Sequence, residues 1–323
     1  MSVDVDVSPS AVRMTADAAS DGRRGPAGPA ATGAGTGTAA VAHGLRIEGL
    51  DEADNLSRVP ADHAGRLPVV RVERSVSPCP AHLRAHAGVV TGDLVVREFS
   101  GDRVIVLDRS AGTAAFHGPA TPAEVFAHPG LLLASAHFNR WSGRETFHAG
   151  AFTVGGRAYL LAGPPGAGKS GLLTALAAAG ATVLTDAGAA TDGHWVYSGP
   201  RTIDLSEPVP MHVVGLPMQP ARGGTRCRLA LGPAPIRRRL AGVFFLRWGG
   251  PVRADGVPTA ARPGRLAALR TLRTLSGDAD VMAAVAGMPA WNLHRPPEWT
   301  SLDDAVALVL ALARSEPDGA AAG

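Results

Sequence analysis

The sequence predicts an α/β fold preceded by a smaller, β-rich region. The α/β part is predicted by a strand, a glycine-rich loop, a leucine-rich helix and a further strand that follow one another over residues 157–185. A continuous apolar run at Leu240–Leu246 adds a segment typical of a buried strand. Short apolar segments between turn residues over 60–128 predict the β-rich part. The 323 residues are enough for two domains.

Composition excludes several classes of protein. The two cysteines, Cys79 and Cys227, are too few for a disulfide framework or a cysteine-based zinc site. No uncharged apolar run reaches the roughly 18 residues that a membrane-spanning helix needs. Asp4 and Asp6 stand where a signal peptide would be basic and then apolar, so we expect a cytoplasmic protein. The net charge of +3 does not by itself favour nucleic acid or a membrane as partner.

Four regions follow from changes in composition along the chain. Residues 1–42 are rich in Ala, Gly, Ser, Thr and Asp without apolar periodicity, which predicts a disordered tail. Residues 43–142 form the β-rich N-terminal region, and residues 143–315 form the α/β domain. Residues 316–323 are predicted to be a second disordered tail.

In the N-terminal region, a hairpin is the clearest element. Its two strands, Leu94–Phe99 and Val104–Leu107, flank a turn that contains glycine and aspartate. We also predict strands at Leu45–Ile47 and Thr113–Phe116. A helix over 122–141 is expected to be in two pieces because Pro129 interrupts it.

In the second region, a hairpin precedes the glycine-rich loop and a helix follows it. Phe147–Val154 and Arg157–Ala162 are predicted strands around the pair Gly155-Gly156. Lys169–Ala179 is a predicted helix that ends at Gly180. The remaining predicted strands are 181–185, 195–197, 202–205 and 240–246, and the remaining predicted helices are 265–275, 279–285 and 301–314.

The loop carries the most specific motif. Of the 31 basic residues, 30 are arginine and one is lysine, Lys169. It stands in the segment Gly163-Pro164-Pro165-Gly166-Ala167-Gly168-Lys169-Ser170, which is the Walker A pattern G-x-x-x-x-G-K-S. In such a P-loop, glycines let backbone N–H groups face phosphates, the lysine contacts the terminal phosphates and the hydroxyl can ligate Mg²⁺. These eight residues are therefore the predicted ATP-binding residues. The alternative is a glycine-rich turn that only connects a strand to a helix.

An acidic partner is expected at the end of a neighbouring strand. Asp108 ends an apolar strand, but that strand comes before the loop and belongs to the predicted hairpin. Asp186 ends the strand directly after the loop's helix. If the two strands are adjacent and parallel, Ser170 and Asp186 meet at one edge of the sheet, where α/β proteins bind ligands. We therefore predict that Ser170 and Asp186 are the metal ligands; a simple turn aspartate is the alternative.

These residues and their spacing resemble the HPr kinase/phosphorylase family. The resemblance lies in Phe147-His148-Ala149, the loop, and Leu184-Thr185-Asp186. The chain is most similar to the HPr-kinase-like serine kinases found beside bacterial peptide natural-product pathways, including those that phosphorylate lasso-peptide precursors. Segments Gly44–Leu50 and Gly287–Leu293 also resemble theirs.

The resemblance implies a P-loop kinase domain of the HPr kinase/phosphoenolpyruvate carboxykinase type, with a small β-rich N-terminal part. It implies that the γ-phosphoryl group of ATP is transferred, with Mg²⁺, to a serine or threonine hydroxyl of a peptide or small protein. Catalytic roles fall on Asp186, His148 and Lys169. His148 is expected beneath the loop, holding Asp186 or a phosphate, although a lone histidine at a strand end is more often a core residue.

One departure from the family pattern leaves the function open. The second acid of the family's Asp-Asp pair is Ala187 here, so Asp186 must do both jobs, or a water or another acid, Asp192 or Asp204, must help. A nucleotide-binding regulatory module with decayed catalysis, and a small-molecule kinase on the same scaffold, therefore remain as alternatives.

The second half of the chain is basic. Residues 201–273 contain thirteen arginines against three acidic residues, a net charge of +10. Arg226 or Arg228 is predicted to contact a phosphate or an acidic peptide, because arginine binds such groups in a bidentate manner; solvated loop arginines are the alternative. No aromatic platform accompanies this charge, so we expect no nucleic acid as partner. We also expect no membrane as partner. Homo-oligomerisation stays open.

Overall fold

The computed structural model describes residues 37–99, 102–210, 215–221 and 224–315. It contains two large sheets, one small sheet and helices packed against them, so the predicted α/β class and the β-rich N-terminal part are confirmed.

The N-terminal sheet has eight strands in the order β3-β1-β2-β4-β8-β7-β6-β5. The predicted hairpin is present as β6 and β7, and the next predicted strand is β8. Alternating side chains of these strands form an apolar core. The strands are β1 (Thr38–Ala42), β2 (Leu45–Glu48), β3 (Ser57–Pro60), β4 (Val69–Ser75), β5 (Val90–Thr91), β6 (Leu94–Phe99), β7 (Arg103–Asp108) and β8 (Thr113–His117).

The predicted boundary of the first disordered tail is wrong at its end. Thr38–Ala42 forms β1, which lies between β2 and β3, and Ala39–Ala42 are buried. These alanines resemble the low-complexity residues before them, yet they are small and apolar enough to pack in the sheet. The rest of that predicted tail, residues 1–36, and the predicted tail 316–323 lie outside the described residues.

Short helices and one longer helix cover the N-terminal sheet. The helix predicted over 122–141 is broken as expected: α3 (Ala123–Val125) is followed by a kink within Phe126–Gly130, where His128 is extended just before Pro129, and then by α4 (Leu131–Trp141). The buried side chains of α4 pack on the core of the N-terminal sheet. Two single-turn helices, α1 (Ala61–Ala64) and α2 (Ala81–Arg84), lie between the earlier strands.

The second sheet contains the segment with the glycine-rich loop. Its strand order is β12-β10-β11-β18-β14-β13-β9, with β20 beside β18 and β19 beside β20. Strands β11, β18 and β20 are mutually parallel, and β10 is antiparallel to both of its neighbours. The strands are β9 (Glu145–Phe147), β10 (Ala149–Val154), β11 (Arg157–Ala162), β12 (Thr182–Thr185), β13 (Ala189–Thr191), β14 (Trp195–Tyr197), β18 (Arg237–Trp248), β19 (Arg253–Gly256) and β20 (Ala290–Arg295).

The predicted adjacency of the strands on either side of the loop's helix is wrong. Strand β10 lies between β11 and β12 and hydrogen-bonds to both. Because it is antiparallel to each of them, β11 and β12 still run in the same direction. Their carboxyl ends therefore reach the same edge of the sheet, one strand further apart than expected.

Helix α5 (Lys169–Ala178) follows the loop and packs against a small three-stranded sheet. That sheet has the order β15-β17-β16, formed by β15 (Thr202–Leu205), β16 (Gln219–Ala221) and β17 (Arg226–Ala230).

Three helices complete the second region: α6 (Arg262–Leu269), α7 (Ala279–Gly287) and α8 (Leu302–Ser315). The helix predicted over 265–275 is wrong beyond Leu269, because Arg270 is extended and its guanidinium pairs with the buried Glu145 at 3.0 Å. This tertiary ion pair outweighs the helical propensity of the segment. Within the described ranges, every helix is too short or too polar to cross a membrane.

Candidate functional site

The glycine loop (Gly163–Gly168) connects the carboxyl end of β11 to the first residue of α5. Gly166 and Gly168 have φ angles of +76° and +79°, where a side chain would strain the backbone. The indole Nε1 of Trp248 donates a hydrogen bond of 2.8 Å to the carbonyl of Gly166. The loop therefore needs glycine at these two positions, and Trp248 fixes it from the neighbouring strand β18.

Lys169 is turned back onto the loop. Its Nζ donates to the carbonyl oxygens of Gly163 at 2.9 Å and Pro164 at 3.0 Å. Burial lowers the pKa of Lys169 to about 8, and the charge of Asp186 offsets part of that effect. Among the described residues, the ammonium group therefore hydrogen-bonds to neutral oxygens. An anionic ligand would form stronger hydrogen bonds with it.

Asp186 directly follows β12 and is 5% exposed. The hydroxyl of Ser170 lies beside its carboxylate, and the backbone N–H of Asp204 donates to Oδ2 at 3.3 Å. Burial raises the pKa of Asp186 to about 6; the charge of Asp204 adds to this, while the Ser170 hydroxyl, the Asp204 N–H and the charge of Lys169 oppose it. The structure therefore brings together Ser170, Asp186 and Lys169, as the sequence predicts.

A divalent cation fits this pair of oxygens. Oδ1 of Asp186 is buried and has no hydrogen-bond partner among the described residues. It stands beside a serine hydroxyl, and Mg²⁺ is usually held by one or two such protein oxygens together with water and substrate phosphates. In the part of the chain that the structure describes, no group of three or more His, Cys, Asp or Glu side chains forms a complete metal cage.

His148 lies between β9 and β10, and its backbone N–H donates to the carbonyl of Leu269 at 2.7 Å. Burial, with the charges of Lys169 and Arg273, lowers the pKa of His148 to about 4, so the imidazole is neutral at physiological pH. The expected hydrogen bond between His148 and Asp186 is not present among the described residues. His148 is close enough to Lys169 to feel its charge, but it does not hold the carboxylate.

Of the two acids considered as substitutes for the missing second aspartate, the structure brings only Asp204 to Asp186. The carboxylate of Asp192 accepts hydrogen bonds from the backbone of His194 and Trp195 and from the hydroxyl of Tyr197, all within its own hairpin. These contacts make Asp192 a turn residue.

Asp204 is already engaged by an arginine that the sequence assigned to a phosphate. Arg228 binds the Asp204 carboxylate in a bidentate manner, with hydrogen bonds of 2.7 Å and 2.9 Å. Its guanidinium also donates to the carbonyl of His128 at 3.3 Å, and the His128 ring lies 3.8 Å from Asp204. Arg226 is two residues earlier on β17, so its side chain leaves the same face of that strand.

The N-terminal region closes one side of this site. Besides His128, it contributes His43 and Leu132, which both approach Gly188, two residues after Asp186. The backbone N–H of His43 donates to the carbonyl of Ser198 at 2.6 Å. The segment after Asp186, which includes Ala187, is therefore packed between the two large sheets.

Sequence reasoning missed three basic or aromatic side chains around the loop: Trp248, Arg273 and Arg295. Trp248 and Arg295 are the last residues of the parallel strands β18 and β20. A signal was present, since residues at the carboxyl ends of parallel strands face the ligand edge of a sheet. Arg273 carries no local signal, because only the tertiary fold brings it near His148.

Comparisons with known proteins give little beyond the geometry. No family model matches the sequence, and no curated protein matches it. The solved structure of the HPr(Ser) kinase/phosphatase from Coxiella burnetii is similar to this chain at 12% sequence identity, over 52% of this chain and 95% of that chain, with a TM-score of 0.27. A TM-score this low establishes neither a shared fold nor a shared function.

Proposed function

We propose that this chain is an ATP-dependent kinase that phosphorylates a serine or threonine hydroxyl of a peptide or small protein. One observation carries the proposal: a buried carboxylate, Asp186, lies beside Ser170 and Lys169, at the point where a Walker A loop enters a helix. We infer that the domain is of the HPr kinase type and that it works in the cytoplasm, where ATP is abundant.

Nucleotide binding is assigned to the glycine loop, Lys169 and Ser170. The backbone N–H groups of the loop and of the first turn of α5 would face the phosphates, where the helix dipole also favours negative charge. Lys169 would exchange its two carbonyl partners for phosphate oxygens. That exchange replaces neutral acceptors by charged ones, and charge-assisted hydrogen bonds are about twice as strong.

Ser170 and Asp186 would hold Mg²⁺ through the serine hydroxyl and the unpartnered Oδ1. When bound there, the ion supplies positive charge to the phosphate oxygens. Asp204 donates its backbone N–H to the other oxygen of Asp186, which orients the carboxylate.

Asp186 also fits the role of proton acceptor. The acceptor hydroxyl oxygen bonds to the γ-phosphorus, the bond from that phosphorus to the ADP oxygen breaks, and the hydroxyl proton passes to the carboxylate. A carboxylate with a pKa of about 6 is mostly ionised at neutral pH and holds a proton better than an ordinary aspartate. His148, neutral at this pH, would add no positive charge beside Lys169 and Arg273.

A regulatory nucleotide-binding module is the second candidate, favoured by the engagement of Asp204. Because Arg228 neutralises Asp204 in a bidentate pair, the acid nearest to Asp186 is not an equivalent replacement for the aspartate absent at Ala187. Such a protein would bind ATP without transferring its phosphate.

The deciding experiment incubates the full chain with ATP, Mg²⁺ and serine- or threonine-containing peptides, followed by mass spectrometry. Each peptide is paired with a copy in which the hydroxyl residue is alanine. The kinase proposal expects one added phosphoryl group on the hydroxyl peptide and none on its alanine copy. ATP binding in calorimetry without transfer to any hydroxyl, including the chain's own, would support the regulatory module instead.

A further inference from the structure

Three parallel strands end together beside the glycine loop. β11 runs into Gly163, β18 ends at Trp248 and β20 ends at Arg295. In the sheet, Ala162 is the partner of Phe245, and Trp248 is the partner of Arg295. Trp248 and Arg295 therefore stand at the same carboxyl edge as the loop, which is where α/β sheets bind ligands.

Arg295 is a buried cation without an acidic partner. It is 2% exposed, and no carboxylate among the described residues forms an ion pair with it. Its Nη1 donates only two long hydrogen bonds, to the carbonyl of Pro296 at 3.3 Å and to Oγ of Ser301 at 3.4 Å, and Nε has no partner in the described part of the chain. Burial lowers the pKa of Arg295 to about 10, so it still carries its charge at neutral pH.

A buried charge of this kind is costly unless something pairs with it. Two other buried arginines of the second region are satisfied: Arg270 pairs with Glu145, and Arg201 donates to the carbonyls of Val183, Leu184 and Gly232. Arg295 differs from both because its free donors are not used within the described chain.

The guanidinium of Arg295 is held against the glycine loop. Its Cζ lies 4.2 Å from the centroid of the Trp248 ring, and that ring donates its own N–H to Gly166. A Cβ atom at Gly168 would collide with Nη2 of Arg295 and with the Trp248 ring. The loop, the indole and the guanidinium thus form one packed unit, next to the first turn of α5.

We propose that Arg295, stacked on Trp248, is a phosphate-binding residue of the nucleotide site and supplies a second cation besides Lys169. The inference rests on the proposed function, since it assigns the anion to the phosphates of the nucleotide. The donors Nε and Nη2 lie on one edge of the planar guanidinium, and their spacing matches two phosphate oxygens. The anion supplies the partner that the chain does not.

A purely structural role for Arg295 makes the opposite prediction for stability. If the long bonds to Pro296 and Ser301 were its purpose, removing the guanidinium would destabilise the ligand-free protein and leave affinity unchanged. If the guanidinium awaits a phosphate, removing it relieves an unpaired buried charge, so the ligand-free protein loses little or no stability while affinity falls.

The experiment compares the wild type with Arg295→Gln, Arg295→Lys and the control Arg247→Gln. Arg247 is exposed and stands one residue before Trp248, so its side chain leaves the opposite face of β18. Arg247→Gln changes the net charge by the same amount as Arg295→Gln, which makes it a matched control. Affinities for Mg²⁺-ATP and for inorganic pyrophosphate are measured by calorimetry, and unfolding temperatures are measured without ligand.

We expect Arg295→Gln to weaken both ligands by about 10- to 100-fold, as the loss of hydrogen bonds between charged groups does. Its ligand-free unfolding temperature should be unchanged or higher. Arg295→Lys, which keeps the charge, should lose less affinity, and Arg247→Gln should bind like the wild type. Equal affinities in the wild type and Arg295→Gln would overturn this inference while leaving the proposed function intact. A wild type that binds neither ligand would overturn both.

Discussion

The two large sheets keep their charged side chains in different places. In the N-terminal sheet, ion pairs such as Arg46 with Glu48 at 3.0 Å and Arg84 with Glu98 at 2.9 Å lie at the surface, and the core is apolar. At the carboxyl edge of the second sheet, Asp186, Lys169 and Arg295 are buried or half-buried with shifted pKa values.

This difference separates scaffold from site. Exposed ion pairs contribute little to stability, and they cost little when changed. Buried charges with incomplete partners cost stability. Perturbed pKa values of this kind cluster at functional sites, where binding or chemistry requires them. We therefore expect binding and chemistry at the second sheet and support from the first.

The support is direct, because the two regions touch at the segment that follows Asp186. His128 reaches Asp204, and His43 reaches Gly188. The N-terminal sheet thus helps to fix the position of the carboxylate without providing its chemistry.

The largest expected effect comes from removing the cation of the loop. Lys169→Ala should weaken phosphoryl transfer by about 10³-fold, the upper range for losing one charged contact to the transition state. Because burial of the ammonium outweighs its attraction to Asp186, stability of the ligand-free protein should not fall. Enzyme assays and thermal unfolding of the same preparation check both statements. Unchanged turnover would remove the assignment of the loop.

A change in the scaffold should give the reverse pattern. Leu107 is fully buried in the core of the N-terminal sheet, so Leu107→Ala should lower the free energy of unfolding by about 3 kcal/mol. At a temperature where the variant stays folded, its affinity for Mg²⁺-ATP should equal that of the wild type. Denaturant titration and calorimetry measure the two quantities. A large loss of affinity in the folded variant would contradict the division between scaffold and site.

Asp186→Asn tests how much the buried carboxylate lowers the free energy of unfolding, because that effect depends on pH. The folded pKa of Asp186, about 6, lies above the ordinary value of 3.8, so its contribution to stability is present below about pH 4 and is lost as pH rises through 6. At pH 8 the asparagine variant should therefore be more stable than the wild type by about 2–3 kcal/mol, at roughly 1.4 kcal/mol per pKa unit. At pH 4 the two should be equal. Denaturant titrations at both pH values decide, and a less stable variant at pH 8 would refute this electrostatic account.

The smallest effect is expected from Ala187→Asp. A second carboxylate beside Asp186 gives Mg²⁺ another oxygen, so half-maximal transfer should need a several-fold lower concentration of Mg²⁺. Transfer rates over a magnesium titration measure this. If the requirement for Mg²⁺ does not change while the wild type is active, another group already fills the role of the second acid.

The local features of the fold could be predicted from the sequence. Turn residues and apolar periodicity predict the hairpin of β6 and β7, the loop and α5. They also predict that Asp186 lies at the same edge of the second sheet as the loop. Contacts between distant segments could not be predicted in the same way. Nothing local indicates that β10 lies between β11 and β12, or that Arg270 leaves its helix to pair with Glu145.

The same limit applies to the candidate site. The motif predicts Lys169 and Ser170 because their spacing is local. It does not predict that Arg228 is held by Asp204, because that pair joins residues from two strands. Arg295 is 126 residues beyond Lys169 along the chain, and only the parallel pairing of β11, β18 and β20 brings it to the loop.

The most direct test of the central claim measures transfer and ATP affinity side by side in Asp186→Asn. The variant keeps the shape of the side chain and removes its charge. If Asp186 accepts the proton of the acceptor hydroxyl, the rate of transfer to a peptide should fall by about 10²–10⁴-fold, the usual contribution of a positioned base. ATP affinity should change little, because the loop and Lys169 carry most of it. Full transfer activity in Asp186→Asn would contradict the account.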